Sequence, residues 1–218
     1  MTRFLKISSL IVALVFTCSA IQAQIAHPDT FGTNTSFTNI FETTNTNGPL
    51  FGAPTASGDN LDFPAGGFSA NAVNSAVDFL NGSVALDVTA NSGQTFNSVE
   101  LNEFGVYFNS GATAESSVTT FIFVTVDGQT FTDSVTQTFT GTGNGVWNAS
   151  FKVDLPDAEN ASISFHNVLL ATAGAGEVAS ISKRDVDLTI NTTPVPEPTA
   201  AALLFAGLMG TTLRRRRS

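Results

Sequence analysis

Residues 147–155 read WNASFKVDL. Every odd position is apolar and every even position is polar or charged. Because successive side chains of a β-strand point to opposite faces, this alternation predicts a strand with one buried face. The buried face would consist of Trp147, Ala149, Phe151, Val153 and Leu155. We expect Pro156 to end the strand, because proline cannot donate a ladder hydrogen bond.

Upstream, residues 118–126 are apolar on both faces in their middle, which predicts a central strand. Asp127-Gly128 follows and is typical of a tight hairpin turn. The returning strand would carry Phe131, Val135 and Phe139 on one side. Its other side would be a uniform hydroxyl face of Thr130, Thr132, Ser134, Thr136, Thr138 and Thr140. Such a face is typical of a solvent-exposed strand, and it could also meet a polysaccharide or a neighbouring protein.

The remainder of residues 24–193 shows no sustained 3.6-residue apolar period. About eight to ten strands are expected, and they predict an all-β fold, a two-sheet antiparallel sandwich that is jelly-roll-like. Residues 24–60 are rich in Asn, Thr, Gly and Ser and are expected to form edge strands or a loosely packed arm. An N-terminal signal helix and a short C-terminal apolar helix would flank the sandwich.

Two changes of apolar phase interrupt the pattern. Val99 and Leu101 lie on odd positions, whereas Phe104, Val106 and Phe108 lie on even ones. A similar change separates Ala179 and Ile181 from Val186, Leu188 and Ile190. A strand changes face only through an extra residue, so we predict bulges or breaks near Asn102–Glu103 and Lys183–Arg184.

Charge is distributed unevenly along the 218 residues, whose net charge is −9. Residues 24–193 hold three basic and 17 acidic residues, a net charge of −14, and six basic residues lie at the two ends. This balance argues against nucleic-acid binding. The single cysteine, Cys18, excludes an intrachain disulfide, and two histidines cannot build a multi-histidine metal centre.

The N-terminus has the order of a secretory signal peptide. Arg3 and Lys6 precede an apolar run, Ile7 to Phe16, and small or polar residues then lead to Ala23. The run is too short to span a bilayer as a mature helix. We predict a signal peptide over residues 1–23, which would remove Cys18 on cleavage.

The C-terminus combines three further parts. Pro196, Glu197 and Pro198 precede an uncharged segment, Thr199 to Leu213, which is followed by Arg214, Arg215, Arg216 and Arg217. At about 1.5 Å per residue the apolar segment falls short of the ~30 Å hydrocarbon core, so it predicts a weak or temporary anchor. The arginines would stay cytoplasmic and the acidic domain outside.

This three-part order, combined with a signal peptide, resembles a PEP-CTERM sorting signal over residues 194–218. The resemblance implies export across the inner membrane and processing near Pro-Glu-Pro by an exosortase-type membrane transpeptidase. It also implies release or attachment at the cell surface, often beside exopolysaccharide production and biofilm. The central domain, 24–193, is similar around residues 91–96 and 98–105 to uncharacterised domains found upstream of such signals.

Candidate catalytic groups are few, and we predict a non-enzymatic protein with no catalytic residue and no cofactor. His166 shares its parity with Ser162 and Ser164, which favours a sheet-surface histidine over a triad member. Two carboxylate pairs could serve a glycoside hydrolase or lyase. They are Glu100 with Glu103, and Asp185 with Asp187. Close pairs are expected by chance among 17 acids, so the pairs alone are weak evidence for an enzyme.

Two acidic loops are candidates for a structural calcium ion. Their oxygen-bearing residues are Asp154, Asp157 and Glu159 in one loop and Asp59 and Asp62 in the other. Calcium prefers six to eight oxygen ligands, but neither loop has the glycine-centred EF-hand pattern. Solvated acidic turns are the simpler interpretation.

The sequence thus predicts a secreted or cell-surface, non-enzymatic β-sandwich, a component of the extracellular polysaccharide or biofilm matrix. Its partners would be the exosortase-type transpeptidase and extracellular polysaccharide, with transient membrane insertion of the C-terminal segment and no nucleic acid. A calcium-assisted carbohydrate-binding module is the alternative. A glycoside hydrolase or lyase is the third hypothesis.

Overall fold

The structure is a computed structural model that describes residues 23–195. The predicted signal peptide, Cys18, the Pro196–Pro198 motif, the apolar segment and the arginine run lie outside these residues, as do both predicted terminal helices. Within residues 23–195 all regular structure is β. No helix in this part of the chain could cross a membrane.

Thirteen strands follow one another within residues 23–195. They are β1 (Ala23–Ala26), β2 (Thr30–Phe31), β3 (Thr35–Thr44), β4 (Thr55–Ser57), β5 (Asn60–Phe63), β6 (Ser69–Val73), β7 (Val77–Ala90), β8 (Gln94–Ser110), β9 (Glu115–Val126), β10 (Gln129–Thr140), β11 (Gly143–Ala158), β12 (Asn160–Thr172) and β13 (Val178–Pro194).

The strands form two antiparallel sheets. The seven-stranded sheet, called sheet A, has the order β1-β3-β7-β12-β9-β10, with β2 beside β3. The six-stranded sheet, called sheet B, has the order β11-β8-β13-β5-β4, with β6 also beside β13. The predicted all-β, two-sheet antiparallel sandwich is confirmed. The strand count exceeds the expected eight to ten because residues 23–73 contribute six strands, five of them no longer than five residues.

Phenylalanine fills the space between the sheets, because it buries a large apolar area without needing a hydrogen-bond partner. Phe51 packs edge-on against the rings of Phe68, Phe165 and Phe63, with centroid separations of 5.2, 5.4 and 6.3 Å. All four side chains are fully buried. β3, which belongs to the segment predicted to be irregular, adds the buried Phe37 and Ile40 to this core.

The alternation over residues 147–155 is confirmed in β11, whose odd residues face the interior. The prediction that Pro156 ends this strand is wrong, since β11 continues to Ala158 through a register shift between Asp154 and Ala158. β11 is an edge strand, which pairs with a neighbour on one side only. The missing N–H group of Pro156 therefore costs no hydrogen bond on the unpaired side.

The predicted hairpin is also confirmed. β9 and β10 pair from Val126 opposite Gln129 to Glu115 opposite Thr140. Asp127 and Gly128 have φ angles of 50° and 78°, as a type I′ turn requires. The six hydroxyl residues of β10 are exposed on one face, and Phe131, Val135 and Phe139 are half-buried on the other.

One of the two predicted bulges is present. The register of β13 on β8 shifts between Lys183 and Asp185, which confirms the break at Lys183–Arg184. The bulge predicted at Asn102–Glu103 is wrong, because β8 pairs with β11 without interruption through this region. Glu103 keeps an inward position, and Phe104 and Phe108 point outward at 40% and 46% exposure. A buried carboxylate is possible there because Lys183 pairs with it.

Candidate functional site

A groove of about 280 Å³ lies on the outer face of sheet B. It crosses three neighbouring strands, β11, β8 and β13. One row of paired residues runs Asn148, Phe104, Asp185 across the sheet. The next row runs Ser150, Asn102, Asp187 and then Asp62 of β5. The groove therefore combines an aromatic ring with carboxylate, amide and hydroxyl groups.

The bulge in β13 determines which side chains reach this groove. Ile181 and Lys183 face the interior on odd positions, and beyond the extra residue Val186 and Leu188 face it on even ones. Asp185 and Asp187 are consequently turned to the outer surface. Without the bulge both carboxylates would point into the core, where unpaired charges are very costly.

The aspartates interact with one another. Burial, a hydrogen bond with Asp62 and the negative charges of Asp187 and Asp62 raise the pKa of Asp185 to about 6. Asn60 Nδ2 donates to Asp187 Oδ1 at 2.9 Å. The carboxyl group of Asp185 is therefore protonated over part of the mildly acidic range, where it can donate as well as accept hydrogen bonds.

An exposed apolar strip adjoins the groove. Phe104 and Phe108 project from β8, and Val146 of β11, 62% exposed, lies between them on the neighbouring strand. Four residues of extended chain place the two rings about 14 Å apart along the strand. Only Phe104 belongs to the groove, and Phe108 lies beyond it.

The two predicted carboxylate pairs have different outcomes. Glu100 faces outward, where Asn191 Nδ2 donates to it at 3.1 Å, whereas Glu103 is buried between the sheets. The two therefore cannot act in one cleft, and this candidate pair is wrong. Asp185 and Asp187 do share the outer face of β13, as predicted.

His166 lies on the outer face of sheet A, as its parity predicts. Its ring meets Phe123 edge-on at 5.6 Å, and partial burial lowers the pKa of His166. Ser162 also faces outward on β12, where its hydroxyl donates to Asp87 Oδ1 at 2.7 Å.

The calcium candidates are dispersed. Asp59 accepts hydrogen bonds from the Asn34 backbone N–H, the Asn34 side-chain amide and the hydroxyls of Thr35 and Thr192, at 2.6 to 3.1 Å. Burial raises its pKa, but these hydrogen bonds outweigh burial, so the pKa of Asp59 lies below its ordinary value. Asp62 instead faces Asp185 and Asp187.

The other acidic candidates lie on β11 and just after its end rather than in a loop: Asp154 pairs with Lys152 at 3.2 Å, and Asp157 and Glu159 are exposed. Across residues 23–195 no three His, Cys, Asp or Glu side chains are grouped so as to hold a metal ion. Calcium binding at the two groups of acidic residues stays a prediction.

A second polar cluster, separate from the groove, lies between the two sheets. It was not predicted from the sequence. Lys183 Nζ is 2.6 Å from Glu103 Oε2, and both side chains are fully buried. Lys183 Nζ also donates to Asn167 Oδ1, and the Thr120 hydroxyl lies 2.6 Å from Glu103 Oε2 and 3.1 Å from Asn167 Oδ1. A signal was present, since Glu103 and Lys183 continue the odd apolar phases of Leu101 and Ile181.

Gly105 makes room for the ring that covers this cluster. A Cβ at Gly105 would lie 2.3 Å from Trp147 Cε2 and 2.2 Å from the carbonyl oxygen of Ser182. The indole can therefore lie flat over β8 only if residue 105 has no side chain. Trp147 in turn places its ring 5.5 Å from Lys183 Nζ and helps to exclude water from the cluster.

Comparisons with known proteins show similarity of fold and nothing further. No protein-family model matches this chain, and no curated protein sequence matches it. A family 16 carbohydrate-binding module is similar over 61% of this chain and 76% of its own, at 12% identity and a TM-score of 0.25.

The CBM22-1 xylan-binding domain from Paenibacillus barcinonensis Xyn10C is similar over 77% of this chain and 92% of its own, at 8% identity and a TM-score of 0.24. The Eiger TNF from S. frugiperda is similar over 51% of this chain and 68% of its own, at 12% identity and a TM-score of 0.25. Similarity at this level transfers no function.

Proposed function

We propose that this chain is an exported, non-enzymatic β-sandwich protein of the cell surface or extracellular matrix, and that the groove on sheet B binds polysaccharide. The sorting part of the proposal is supported by the sequence, in the signal peptide and in the Pro-Glu-Pro, apolar and arginine parts of residues 194–218. The binding part is supported by the groove itself.

One observation carries the binding proposal: an exposed ring, Phe104, lies in a row with Asn148 and Asp185, and Ser150, Asn102 and Asp187 form the adjacent row. A sugar ring has apolar faces and a rim of hydroxyl groups. An aromatic platform bordered by a few polar side chains suits such a ligand. The carboxylates of the groove favour a neutral polysaccharide over an anionic one.

A non-catalytic role fits this groove, which lies on the outer face of sheet B and combines a ring with amide and hydroxyl groups. The raised pKa of Asp185 beside Asp187 is the single feature that would suit a hydrolase. The hydrolase hypothesis requires the release of reducing ends from a bound polysaccharide and the loss of that release in Asp185→Asn. We expect binding without release.

The binding proposal is tested with a panel of neutral and anionic polysaccharides and the full chain. We expect Phe104→Ala to weaken binding to the preferred polysaccharide by about tenfold or more, since it removes the ring at the centre of the groove. Phe108→Ala removes a similarly exposed ring from the same face of the same strand, outside the groove, and serves as the matched control. Equal effects of the two substitutions would contradict the groove as the binding site.

The sorting proposal has a separate test. Deletion of residues 196–218 should abolish C-terminal processing and change the location of the protein in its own host. Intact mass and cell fractionation measure both. Unchanged processing and location would contradict the sorting proposal and leave the groove proposal untouched.

The calcium-assisted alternative makes its own prediction. A structural ion would raise the melting temperature in millimolar calcium, and a chelator would reverse the rise. We expect a shift below about 1 °C, because the oxygens of Asp59 already accept hydrogen bonds from protein donors. A larger reversible shift would favour the alternative.

A further inference from the structure

The cluster between the sheets places an amine against a carboxamide. Lys183 reaches inward from β13 of sheet B, and Asn167 reaches inward from β12 of sheet A. The lysine Nζ contacts the side-chain carbonyl oxygen of Asn167, so it lies beside the electrophilic carbon Cγ. Glu103 Oε2 is 2.6 Å from the same nitrogen. These three groups are the components of an amide-forming reaction: nucleophile, electrophile and proton carrier.

We propose that Lys183 Nζ and Asn167 Cγ become joined by an intramolecular amide bond, and that Glu103 transfers the protons that this reaction requires. The bond would link sheet A to sheet B through the middle of the core. It is a self-catalysed modification of the folded chain, independent of the polysaccharide groove.

The surroundings favour the neutral amine that must attack. Burial lowers the pKa of Lys183 to about 8, although the charge of Glu103 and its hydrogen bond favour the ammonium form. The rings of Trp147 and Phe68 lie 5.5 and 5.7 Å from Nζ and keep water away. In this enclosure Glu103 can take a proton from Lys183 with little competition from solvent.

The surroundings of Asn167 also suit the reaction at its carbonyl oxygen and at its side-chain nitrogen, which is the leaving group. The Thr120 hydroxyl is 3.1 Å from Asn167 Oδ1, where negative charge develops during attack. Among the described residues, neither Asn167 Nδ2 nor Glu103 Oε1 has a hydrogen-bond partner. The amide nitrogen that must leave is therefore not held by the protein, and the second carboxylate oxygen is free to carry a proton.

The reaction balances without any co-reactant. Glu103 accepts a proton from the Lys183 ammonium, and Nζ attacks Cγ of Asn167 to form a C–N bond. The proton that Nζ then loses passes through Glu103 to the side-chain nitrogen of Asn167, the old Cγ–Nδ2 bond breaks, and ammonia leaves. The products are a secondary amide, free ammonia and a protonated Glu103.

The products suit the interior better than the reactants do. A buried ammonium and a buried carboxylate are replaced by a neutral amide and a neutral acid, which removes the desolvation cost of two charges. The unpartnered Asn167 amide group disappears as ammonia. The completed amide can still accept a hydrogen bond from Thr120 through the former Oδ1.

Trypsin digestion of the denatured full chain gives a direct test. Between Lys152 and Arg184 the only other cleavage site is Lys183. A lysine whose amine has become an amide is not cut, so we expect the wild-type peptide 153–184, about 17 Da lighter than its sequence through loss of one ammonia. Fragmentation should give no backbone ions between Asn167 and Lys183, because the bond closes a ring there.

Three variants sharpen the result. Asn167→Ala removes the electrophile and Glu103→Gln removes the proton carrier, so each should restore cleavage after Lys183 and the full peptide mass. Lys152→Arg replaces the exposed lysine that pairs with Asp154 but keeps the trypsin site at position 152, so peptide 153–184 and its mass loss should be unchanged. Wild-type protein that is cut after Lys183 and releases peptide 153–183 at its sequence mass would overturn the proposal. Ammonia loss confined to Asn167, with Lys183 still cleaved, would overturn it too.

Discussion

Glu42 and Glu103 are both fully buried, yet their surroundings differ. The carboxylate of Glu42 accepts hydrogen bonds from the backbone N–H groups of Leu50, Phe51 and Gly52, and His27 Nε2 lies 3.1 Å from its second oxygen. Glu103 has its Oε2 atom against Lys183 and Thr120, and its Oε1 atom has no partner within residues 23–195.

Burial alone therefore does not determine the role of a carboxylate. Glu42 has hydrogen-bond partners on both oxygens, three of them backbone N–H groups, so it fastens the loop after β3 to the sandwich. Glu103 has a free oxygen, an amine and an amide carbonyl within its reach, which are the requirements of proton transfer. We therefore expect substitutions at Glu42, with hydrogen-bond partners on both oxygens, to act differently from substitutions around Glu103, with partners on one.

The largest effect is expected at Glu42. Glu42→Ala would leave the N–H groups of Leu50, Phe51 and Gly52 without their acceptor. Each unpaired buried group costs about 1–3 kcal/mol, so we expect the free energy of unfolding to fall by about 4 kcal/mol. Urea denaturation measures this change.

Two substitutions control the Glu42 experiment. Glu42→Gln keeps one acceptor oxygen and should lose about half as much stability. Glu115→Ala, at a half-buried position of sheet A, should be close to neutral. A Glu42→Ala protein as stable as the wild type would show that the loop does not depend on this carboxylate.

An intermediate effect is expected at Asn167. Asn167→Ala leaves the Glu103–Lys183 pair in place but removes the proposed cross-link, which would close a loop between residues 167 and 183. By analogy with a disulfide around a loop of this size, we expect a loss of about 3 kcal/mol in unfolding free energy.

Asn109→Ala is the matched control for Asn167. Asn109 is also a buried asparagine, which donates to the carbonyl oxygen of Phe139 at 2.8 Å and accepts from the Ser116 hydroxyl. Its replacement should cost about 2 kcal/mol, the net value of two lost hydrogen bonds. Equal losses at the two positions would argue against a covalent contribution from Asn167.

The smallest effect is expected at Asp185, which is half-buried on the outer face of sheet B. Its pKa is raised to about 6 in the folded chain, above the ordinary value of 3.8. A group with a raised folded pKa stabilises the protein below its unfolded pKa, and this contribution is lost as pH rises through the folded pKa. The melting temperature of the wild type should therefore fall between pH 4 and pH 7 by more than that of Asp185→Asn.

Because Asp185 is only half-buried, solvent and salt screen the interaction, and we expect a difference of about 2 °C that shrinks at high ionic strength. Melting curves across this pH range measure it, and Asp157→Asn is the exposed control. If Asp185→Asn and the wild type show parallel pH profiles, the aspartate cluster does not couple to stability.

Much of the fold could be predicted from local alternation. The pattern of residues 147–155 is reproduced in β11, and Asp127-Gly128 forms the turn between β9 and β10. The phase change after Lys183 correctly predicted a bulge. Alternation succeeds where each strand has one apolar and one polar face, as most strands of a sandwich do.

The error at Glu103 has a physical cause. Sequence patterns favour phenylalanine over an isolated charge as the buried residue, so they predict that Phe104 and Phe108 face the core and that a bulge separates them from Leu101. Glu103 is buried because Lys183, 80 positions away, pairs with it. The groove was missed for a similar reason, since Asp62, Phe104 and Asp185 meet only when β5, β8 and β13 associate.

The position of β13 has a mechanical consequence. β13 lies inside sheet B, and its antiparallel register with β8 extends from Val178 to Pro194. Antiparallel hydrogen bonds run across the strands, so tension on the chain beyond Val195 would pull along β13 and strain many bonds at once. Tension at the other end would meet β1, an edge strand that pairs with β3 over only four residues. The domain is therefore built to resist pulling from its C-terminal side and to yield first from its N-terminal side.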